Sequence, residues 1–230
     1  MMLSAIIVAG GSSQRMGFDK LFAVIAGEPV IAHTIRAFEH ASSVSEIVVV
    51  ARKERHDEIR KISRAAGFKK VRSIVPGGER RQDSVRAGLN RIDHEARYVA
   101  VHDAARPLIT PEQIERAFEQ CRVHGSAALA QPVNDTLKRA DADLLVVGLV
   151  DRHQLYAMQT PQIFERKLIE DAYRDVDAEK ASVTDEVSAV ERLGHKIAVV
   201  LNDDFNFKIT HPRDLPVAEF ILRDRAKGDR

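Results

Sequence analysis

The sequence is poor in several residue types that would mark particular classes of protein. It has one cysteine, Cys121, no tryptophan and only 5% aromatic residues among 230. A single cysteine cannot form an intrachain disulfide, so we expect a reducing compartment and a small, buried, apolar role for Cys121. The 35 basic and 34 acidic residues nearly cancel, which argues against a nucleic-acid backbone or an anionic membrane as the main partner.

Long apolar runs are also missing. Only a short apolar run precedes Gly10, no basic residues stand before it, and no stretch of the chain approaches the length of a membrane span. We therefore predict a cytoplasmic protein. The 44% hydrophobic content suffices to bury one substantial core, and we predict one domain over residues 1–230 with an excursion at about 132–156.

Short β-branched runs alternate with longer amphipathic segments along most of the chain. Helices are predicted at 29–39 and 111–124, the second with Thr110 as its N-cap and Pro111 at the first helical position. The alternation predicts an α/β fold, namely a Rossmann-like, mostly parallel twisted sheet with helices on both faces. The strands predicted from these runs lie at 5–8, 47–51, 71–75, 98–102 and 127–130.

The regular alternation ends after Ala130. Two extended segments, 132–137 and 144–150, flank a polar turn at 139–143 and predict a protruding β-hairpin arm. The second segment is too apolar for an exposed sheet edge, so we expect a second subunit to cover it and the chain to form a homodimer. The elements predicted after the arm are helices near 166–174 and 184–193, a strand at 197–201 and a helix from 212 to about 225.

A small-residue loop at 9–20 follows the first predicted strand and contains two cations, Arg15 and Lys20. Glycines let backbone N–H groups approach and surround phosphate oxygens. The loop is not a P-loop, since no Gly-Lys-Ser/Thr follows at the required spacing, and it lacks the Gly-x-Gly-x-x-Gly spacing of dinucleotide-binding folds. We therefore predict a phosphate-binding loop of a third class; the alternative is a flexible turn with solvated charges.

A second glycine turn, at 76–84, follows the third predicted strand and leads into a helix. Turns after the carboxyl ends of strands bind ligands in open α/β sheets, so the two glycine turns are expected to line one crevice. Ser84, at the end of the second turn, is either a residue of this crevice or only a helix cap. The sequence leaves both interpretations open.

Asp103 follows the fourth predicted strand and is thereby placed at the same edge of the sheet. A carboxylate facing a phosphate-binding loop supplies the hard oxygen ligand that Mg²⁺ needs, although a lone aspartate after a strand is usually a cap or turn residue. Alternation along the strand directs the preceding His102 away from this edge, so we interpret His102 as a structural residue.

Taken together and in this order, these features closely resemble the 2-C-methyl-D-erythritol 4-phosphate cytidylyltransferase family over nearly the whole chain. The resemblance implies transfer of a cytidylyl group from CTP to 2-C-methyl-D-erythritol 4-phosphate with release of pyrophosphate, within non-mevalonate isoprenoid biosynthesis. The segments most specific for the resemblance are 9–20, 101–107, 135–139, 159–162, 184–186 and 208–210.

The resemblance also implies a role for individual residues. It implies that Asp103 binds Mg²⁺, that Arg15 and Lys20 stabilise the transition state, and that Arg152 and Lys208 position the polyol phosphate. The residues implied around the nucleotide are Ala9, Gly10, Gly11, Gly78, Glu79, Ser84 and Ala104. The residues implied to assist in binding the polyol phosphate are Arg106, Thr136, Thr160 and Thr184.

Two positions depart from the family pattern. Gly10 stands where the family usually has alanine, a difference shared with the ribitol-5-phosphate cytidylyltransferases, and Phe205 occupies a position that is often polar. A second metal ligand, Asp203 or Asp204, is therefore left unassigned. Ribitol 5-phosphate or another sugar phosphate is the alternative acceptor, and a non-catalytic nucleotide-binding module is the alternative of a different class.

Overall fold

The chain is built around one large β-sheet, and the computed structural model describes residues 2–11 and 16–228. Its strands are β1 (Leu3–Ala9), β2 (Val24–Ile25), β3 (Glu28–Pro29), β4 (Val44–Ala51), β5 (Val71–Pro76), β6 (Tyr98–Asp103), β7 (Ser126–Pro132), β8 (Leu137–Ala140), β9 (Val146–Val150), β10 (Tyr156–Glu165) and β11 (Ala198–Leu201). Its helices are α1 (Val30–His40), α2 (His56–Ala65), α3 (Arg81–Leu89), α4 (Pro111–His124), α5 (Arg166–Ala178), α6 (Glu186–Glu191) and α7 (Asp214–Gly228), with short 3-10 helices at Lys20–Phe22 and Lys53–Arg55.

Seven strands form the main sheet in the order β11-β7-β10-β6-β1-β4-β5. Strand β10 runs antiparallel to both of its neighbours, and the remaining neighbours pair in parallel. The mostly parallel sheet predicted from the alternating runs is thereby confirmed. Because parallel strands place their carboxyl ends at one edge of a sheet, the turns after β1, β5 and β6 all lie at that edge.

Side chains of β1 enter a hydrophobic core on each face of the main sheet. Ile7 lies in the core that includes Phe38 of α1 and apolar residues of α4, whereas Ile6 lies in the core that includes Val85 of α3 and apolar residues of α5. Successive strand residues point to opposite faces, so a continuous apolar run is what a sheet covered on both sides requires. The prediction of helices on both faces is confirmed.

The elements predicted before the arm are present, and each of the five strands predicted there lies within a longer observed strand. Helix α4 begins as predicted, with Pro111 in its first turn and the Thr110 hydroxyl accepting a hydrogen bond from the Gln113 N–H at 3.3 Å. It ends at Gly125, whose φ of 80° suits glycine. Cys121 is buried in this helix, and burial raises the pKa of its thiol to about 12.

Strand β10 is absent from the sequence prediction. It is inserted between β6 and β7, where Gln162 lies opposite Val101 on one side and Ala128 on the other. Its sequence contains two glutamines and a proline and few β-branched residues, so neither alternation nor an apolar run marks it as a strand. Pairing with both neighbours, rather than local propensity, makes this segment a strand.

The hairpin arm is present, but its first strand and its turn differ from the prediction. The predicted first strand at 132–137 is wrong, because Pro132 still pairs with β10 in the main sheet and the arm begins only with β8. The observed turn between β8 and β9 lies closer to the second strand than the predicted turn at 139–143. The Asp141 carboxylate accepts a hydrogen bond from the Leu145 N–H at 2.9 Å, and this capping sets the turn.

The second strand of the arm is apolar and exposed. Strands β8 and β9 pair only with each other among the described residues, as a separate two-stranded sheet. In β9 and the turn before it, the exposed fractions are 85% for Leu144, 64% for Leu145 and 69% for Leu149. The apolar surface that the sequence predicts for the arm is therefore present.

The C-terminal elements follow the prediction with shifted ends. Helix α6 begins at Glu186 rather than at 184, because Asp185 is its N-cap and accepts a hydrogen bond from the Ser188 N–H at 2.9 Å. The strand predicted at 197–201 corresponds to β11, and the closing helix to α7. Within the part of the chain that the structure describes, no helix is long and apolar enough to cross a membrane.

Candidate active site

A crevice of about 360 Å³ lies at the edge of the sheet where the parallel strands β1 and β6 end. The two glycine turns predicted from the sequence border it together with the C-terminal segment around Lys208. Lys20 and Asp103 line the same crevice. The residues implied around the nucleotide that also line it are Ala9, Gly10, Gly11, Gly78, Glu79 and Ser84.

Ser84 connects the second glycine turn to helix α3. The helix begins at Arg81 with Arg80 as its N-cap, so Ser84 lies inside the helix and is not its cap. The Ser84 hydroxyl oxygen accepts a hydrogen bond from the Gly78 N–H at 3.2 Å. A Cβ atom on Gly77 would lie 2.7 Å from the same oxygen, which is too close for a side chain. Ser84 therefore shapes the glycine turn that borders the crevice.

The two departures from the family pattern have different surroundings. A Cβ atom on Gly10 would lie 3.2 Å from the Ser84 hydroxyl oxygen, so alanine at this position requires only a small movement of Ser84. Phe205 is exposed, and the carboxylate of the preceding Asp204 pairs with Arg225 at 2.6 Å. This ion pair connects Asp204 to helix α7, which carries Arg225.

Lys20 begins the short 3-10 helix that follows the first glycine loop. Asp19 caps this helix, and its carboxylate pairs with Arg52 at 2.6 Å and with Arg55 at 3.0 Å. The Lys20 ammonium group donates a hydrogen bond of 2.6 Å to the carbonyl oxygen of Ile209. This bond holds the first loop against the C-terminal segment of the crevice.

Asp103 is buried and surrounded by cations. Its Oδ1 accepts a hydrogen bond from Arg81 Nε at 3.2 Å, its Oδ2 accepts one from Lys208 Nζ at 2.8 Å, and Arg106 Nε lies 3.9 Å from Oδ2. Burial disfavours the ionised form, but these cations more than offset burial and hold the pKa of Asp103 well below its usual range. The carboxylate is therefore ionised at physiological pH.

Arg81 is a residue of the crevice that the sequence analysis does not identify. Its Nη1 donates a hydrogen bond of 2.7 Å to the Glu186 carboxylate, while its Nε contacts Asp103. Burial disfavours the charged form of Arg81, but the carboxylates of Glu186 and Asp103 outweigh burial and raise the pKa of Arg81 above its usual value. The signal in the sequence is only its position within the second glycine turn, shortly after Gly77 and Gly78.

Several residues implied by the resemblance lie behind Asp103. The Thr160 hydroxyl accepts a hydrogen bond from the Asp103 N–H at 3.1 Å and lies 3.1 Å from His102 Nδ1. His102 is fully buried, and burial lowers its pKa to about 3, so the ring is neutral at physiological pH. Arg106 donates a hydrogen bond of 2.7 Å to a backbone carbonyl of the C-terminal segment. Ala104 is fully buried.

Thr136, Arg152 and Thr184 do not line the crevice of their own chain. Thr136 and Arg152 are exposed at the base of the arm, where Arg152 donates a hydrogen bond to the carbonyl oxygen of Asn134. Thr184 is exposed just before α6. Arg15 lies outside the described residues, which resume at residue 16.

Asp103 is the residue of the crevice that fits a divalent metal ion. Across residues 2–11 and 16–228, no three His, Cys, Asp or Glu side chains cluster as they do in a protein-only metal centre. Mg²⁺ usually binds through one or two carboxylates and completes its shell with water and substrate phosphates. An ionised Asp103 in a crevice bordered by two glycine turns fits that mode of binding.

Comparison with known proteins points to one family. The family model described as 2-C-methyl-D-erythritol 4-phosphate cytidylyltransferase matches residues 3–224. A protein of that name from Caldanaerobacter subterraneus subsp. tengcongensis is 42% identical over 226 residues, which cover 97% of this chain and 100% of the relative. A protein of the same name from Alkaliphilus oremlandii is 38% identical over 228 residues, which cover 98% of this chain and 97% of the relative.

A solved structure is similar over the same extent. The crystal structure of a 4-diphosphocytidyl-2C-methyl-D-erythritol synthase from Anaerococcus prevotii matches with a TM-score of 0.84 at 30% identity and covers 96% of each chain. A match of this coverage includes the sheet and the segments that border the crevice.

Proposed function

The chain belongs to the 2-C-methyl-D-erythritol 4-phosphate cytidylyltransferase family, and we propose that its crevice transfers the cytidylyl group of CTP to 2-C-methyl-D-erythritol 4-phosphate. The products are 4-diphosphocytidyl-2-C-methyl-D-erythritol and pyrophosphate, and the reaction serves non-mevalonate isoprenoid biosynthesis. The observation that carries this proposal is that two glycine turns, Lys20, Asp103 and Lys208 line one crevice. Phosphate-binding backbone, cations and a carboxylate are the groups that nucleotidyl transfer uses.

The two glycine turns are suited to the nucleotide. Gly10, Gly11 and Gly78 line the crevice without a side chain, so phosphate and base atoms can approach the backbone there. Glu79 and Ser84 border the same space. In this arrangement cytosine is recognised largely by backbone and short polar groups.

The reaction needs no general base from the protein. A phosphate monoester has a second pKa of about 6, so the attacking oxygen is already ionised at neutral pH. This oxygen attacks the α-phosphorus of CTP, and the bond from that phosphorus to the bridging oxygen of the departing pyrophosphate breaks. A buried, neutral His102 agrees with a site that does not use an imidazole base.

The task left to the side chains is to bring two polyanions together and to neutralise the charge that develops on the α-phosphorus and the pyrophosphate. Lys20, with Arg15, stabilises the charge at the phosphorus. Lys208, with Arg152, positions the polyol phosphate. The hydrogen bond from Lys20 to the Ile209 carbonyl joins the segments that carry the two lysines, so their positions are coupled.

Asp103 would hold Mg²⁺ together with the phosphates of CTP. Bound Mg²⁺ supplies charge neutralisation at the phosphates. The chain itself contributes the ionised carboxylate of Asp103, and the hydrogen bond from the Asp103 backbone N–H to the Thr160 hydroxyl fixes the backbone that carries it.

The arm is proposed to pair with a second copy of the chain. Leu144, Leu145 and Leu149 form an exposed apolar surface that a partner would cover. Thr136 and Arg152 stand next to this surface and outside the crevice of their own chain, so a two-fold dimer with crossed arms would bring them to the partner's crevice. We place this dimer in the cytoplasm, where the free thiol of Cys121 stays reduced.

Pyrophosphate release tests the proposed function. The purified protein is mixed with CTP, Mg²⁺ and 2-C-methyl-D-erythritol 4-phosphate, and matched reactions replace the polyol phosphate with ribitol 5-phosphate or omit it. We expect pyrophosphate only with an acceptor, and the higher kcat/KM with the methylerythritol phosphate. Faster release with ribitol 5-phosphate would reassign the acceptor, and no release with either would favour a non-catalytic nucleotide-binding module.

A further inference from the structure

Glu186 is fully buried beside the crevice without lining it. Its Oε1 accepts hydrogen bonds from Arg81 Nη1 at 2.7 Å and from the Tyr173 hydroxyl at 3.0 Å. Its Oε2 is also buried and has no hydrogen-bond partner within the described part of the chain. Burying a carboxylate is costly unless its charge is compensated. The side-chain oxygen of a glutamine could accept the same two hydrogen bonds. Hydrogen bonding alone therefore does not explain why this buried position holds a carboxylate.

Burial raises the pKa of Glu186, whereas the adjacent Arg81 guanidinium group favours its ionised form. As a carboxylate, Glu186 acts on Arg81, and Arg81 in turn acts on Asp103. The Arg81 guanidinium group bridges the two carboxylates, at 2.7 Å from Glu186 and 3.2 Å from Asp103. Lys208 and Arg106 are the other cations at Asp103. Two negative and three positive side chains give this cluster a formal charge of +1. A divalent metal ion at Asp103 therefore binds to a cluster that is already positive. Loss of the Glu186 carboxylate would make the formal charge of this cluster still more positive.

We propose that Glu186 is a positioning residue that neutralises Arg81 and thereby sets the metal affinity of Asp103. The inference rests on the proposed function, in which Asp103 binds the metal. Glu186 keeps the guanidinium group in place through Nη1 when Asp103 takes a metal ion, and it reduces the repulsion between Arg81 and that ion. Glu186 touches neither substrate nor metal in this role.

The test measures how strongly a metal ion improves CTP binding, without turnover. Calorimetry determines the dissociation constant of CTP without metal and with saturating Mn²⁺, in the absence of polyol phosphate, and the ratio of the two constants is the metal gain. Glu186→Gln keeps an acceptor for Arg81 and Tyr173 but removes one negative charge. We expect the metal gain to fall about tenfold, while the metal-free affinity for CTP stays the same or rises because the cluster is more positive.

Two further variants separate charge from packing. Combining Glu186→Gln with Arg81→Gln restores the formal charge of the cluster, and we expect the metal gain to return towards the wild-type value. Tyr173→Phe removes a hydrogen bond to the same carboxylate without changing the charge, and we expect an unchanged metal gain. Circular dichroism and thermal melting establish that each variant is folded.

The outcomes distinguish this inference from the proposed function. A wild-type metal gain in Glu186→Gln, or a double variant no better than the single one, overturns the positioning role. Asp103→Asn is the reference for the metal site. If Asp103→Asn loses the metal gain and Glu186→Gln keeps it, only the role of Glu186 fails. If Asp103→Asn keeps the full gain, the metal site of the proposed function fails, and the inference with it.

Discussion

The ammonium group of Lys208 donates a hydrogen bond of 2.8 Å to Oδ2 of Asp103. The Lys208 side chain is 42% exposed and that of Asp103 only 10%. The pair therefore combines a solvent-accessible cation with a buried carboxylate. The proposed function gives the two side chains different ligands, the polyol phosphate and Mg²⁺. A metal ion at Oδ2 of Asp103 would compete with this hydrogen bond, so under the proposed function we expect the two binding events to be coupled.

Lys208→Met is expected to strengthen metal binding and to weaken binding of the polyol phosphate. The substitution frees Oδ2 of Asp103 and removes one positive charge from the cluster. We expect the Mn²⁺-dependent gain in CTP affinity to rise several-fold, and the KM for the polyol phosphate to rise about tenfold. Calorimetry and steady-state kinetics measure the two effects. Lys208→Arg keeps the charge and is the matched control; equal metal gains in the two variants would show that Lys208 does not compete with the metal.

Lys20→Ala is expected to lower turnover far more than it weakens CTP binding. A charge directed at the pentacoordinate phosphorus acts mainly in the transition state. The loss in kcat should be on the order of 10² to 10³, by analogy with removal of one preorganised donor. Steady-state kinetics gives kcat, and calorimetry gives the dissociation constant of CTP. Lys227→Ala, an exposed position on α7, serves as control. Normal turnover with only a raised KM for CTP would contradict this role of Lys20.

Asp103→Asn is expected to shift the magnesium requirement to higher concentration. The amide keeps an oxygen ligand but loses the charge that binds a hard cation. Turnover is measured against Mg²⁺ concentration at saturating substrates. The control is Asp224→Asn on the exposed side of α7, which should follow the wild-type curve. An unchanged magnesium dependence in Asp103→Asn would exclude this residue from the metal site.

The crossed-arm dimer predicts that two inactive variants restore activity when they share a dimer. If each arm reaches across the two-fold axis, every site combines Lys20 of one chain with Arg152 of the other. In a heterodimer of Lys20→Ala with Arg152→Ala, one site then carries both defects and the other carries neither. Random reassortment of equal amounts makes about half of the dimers mixed, so about a quarter of the wild-type activity should return.

This complementation test requires exchange of chains. Both variants are first shown to be folded and dimeric by size-exclusion chromatography with light scattering, and the two chains are then co-expressed with different tags. The isolated heterodimer, in which one of the two sites is intact, should show about half of the wild-type activity, and it is compared with each parent. Activity equal to the average of the two parents would mean that Arg152 serves its own chain's site or none.

The elements with strong local signals were predictable from the sequence. Strands β1, β4 and β6 each contain a continuous apolar run, which suits strands that are buried between two layers of helices. The pair Thr110 and Pro111 marks the start of α4 through capping chemistry that involves only neighbours along the chain. The position of the crevice followed from the same kind of signal, because glycine turns and Asp103 stand directly after strands whose carboxyl ends share one edge.

The remaining features depend on residues that are distant along the chain. Strand β10 forms because β6 and β7 offer it partners on both sides, and its own composition does not mark it. Arg81 pairs with Glu186 across 105 positions, and Lys208 pairs with Asp103 across the same number. Propensity and periodicity are properties of neighbours in sequence, whereas ion pairing and the burial of charge are properties of neighbours in space. The sequence by itself therefore determined the parallel strands of the sheet and the location of the site, and only the tertiary structure decided where β10 is inserted and which charges surround Asp103.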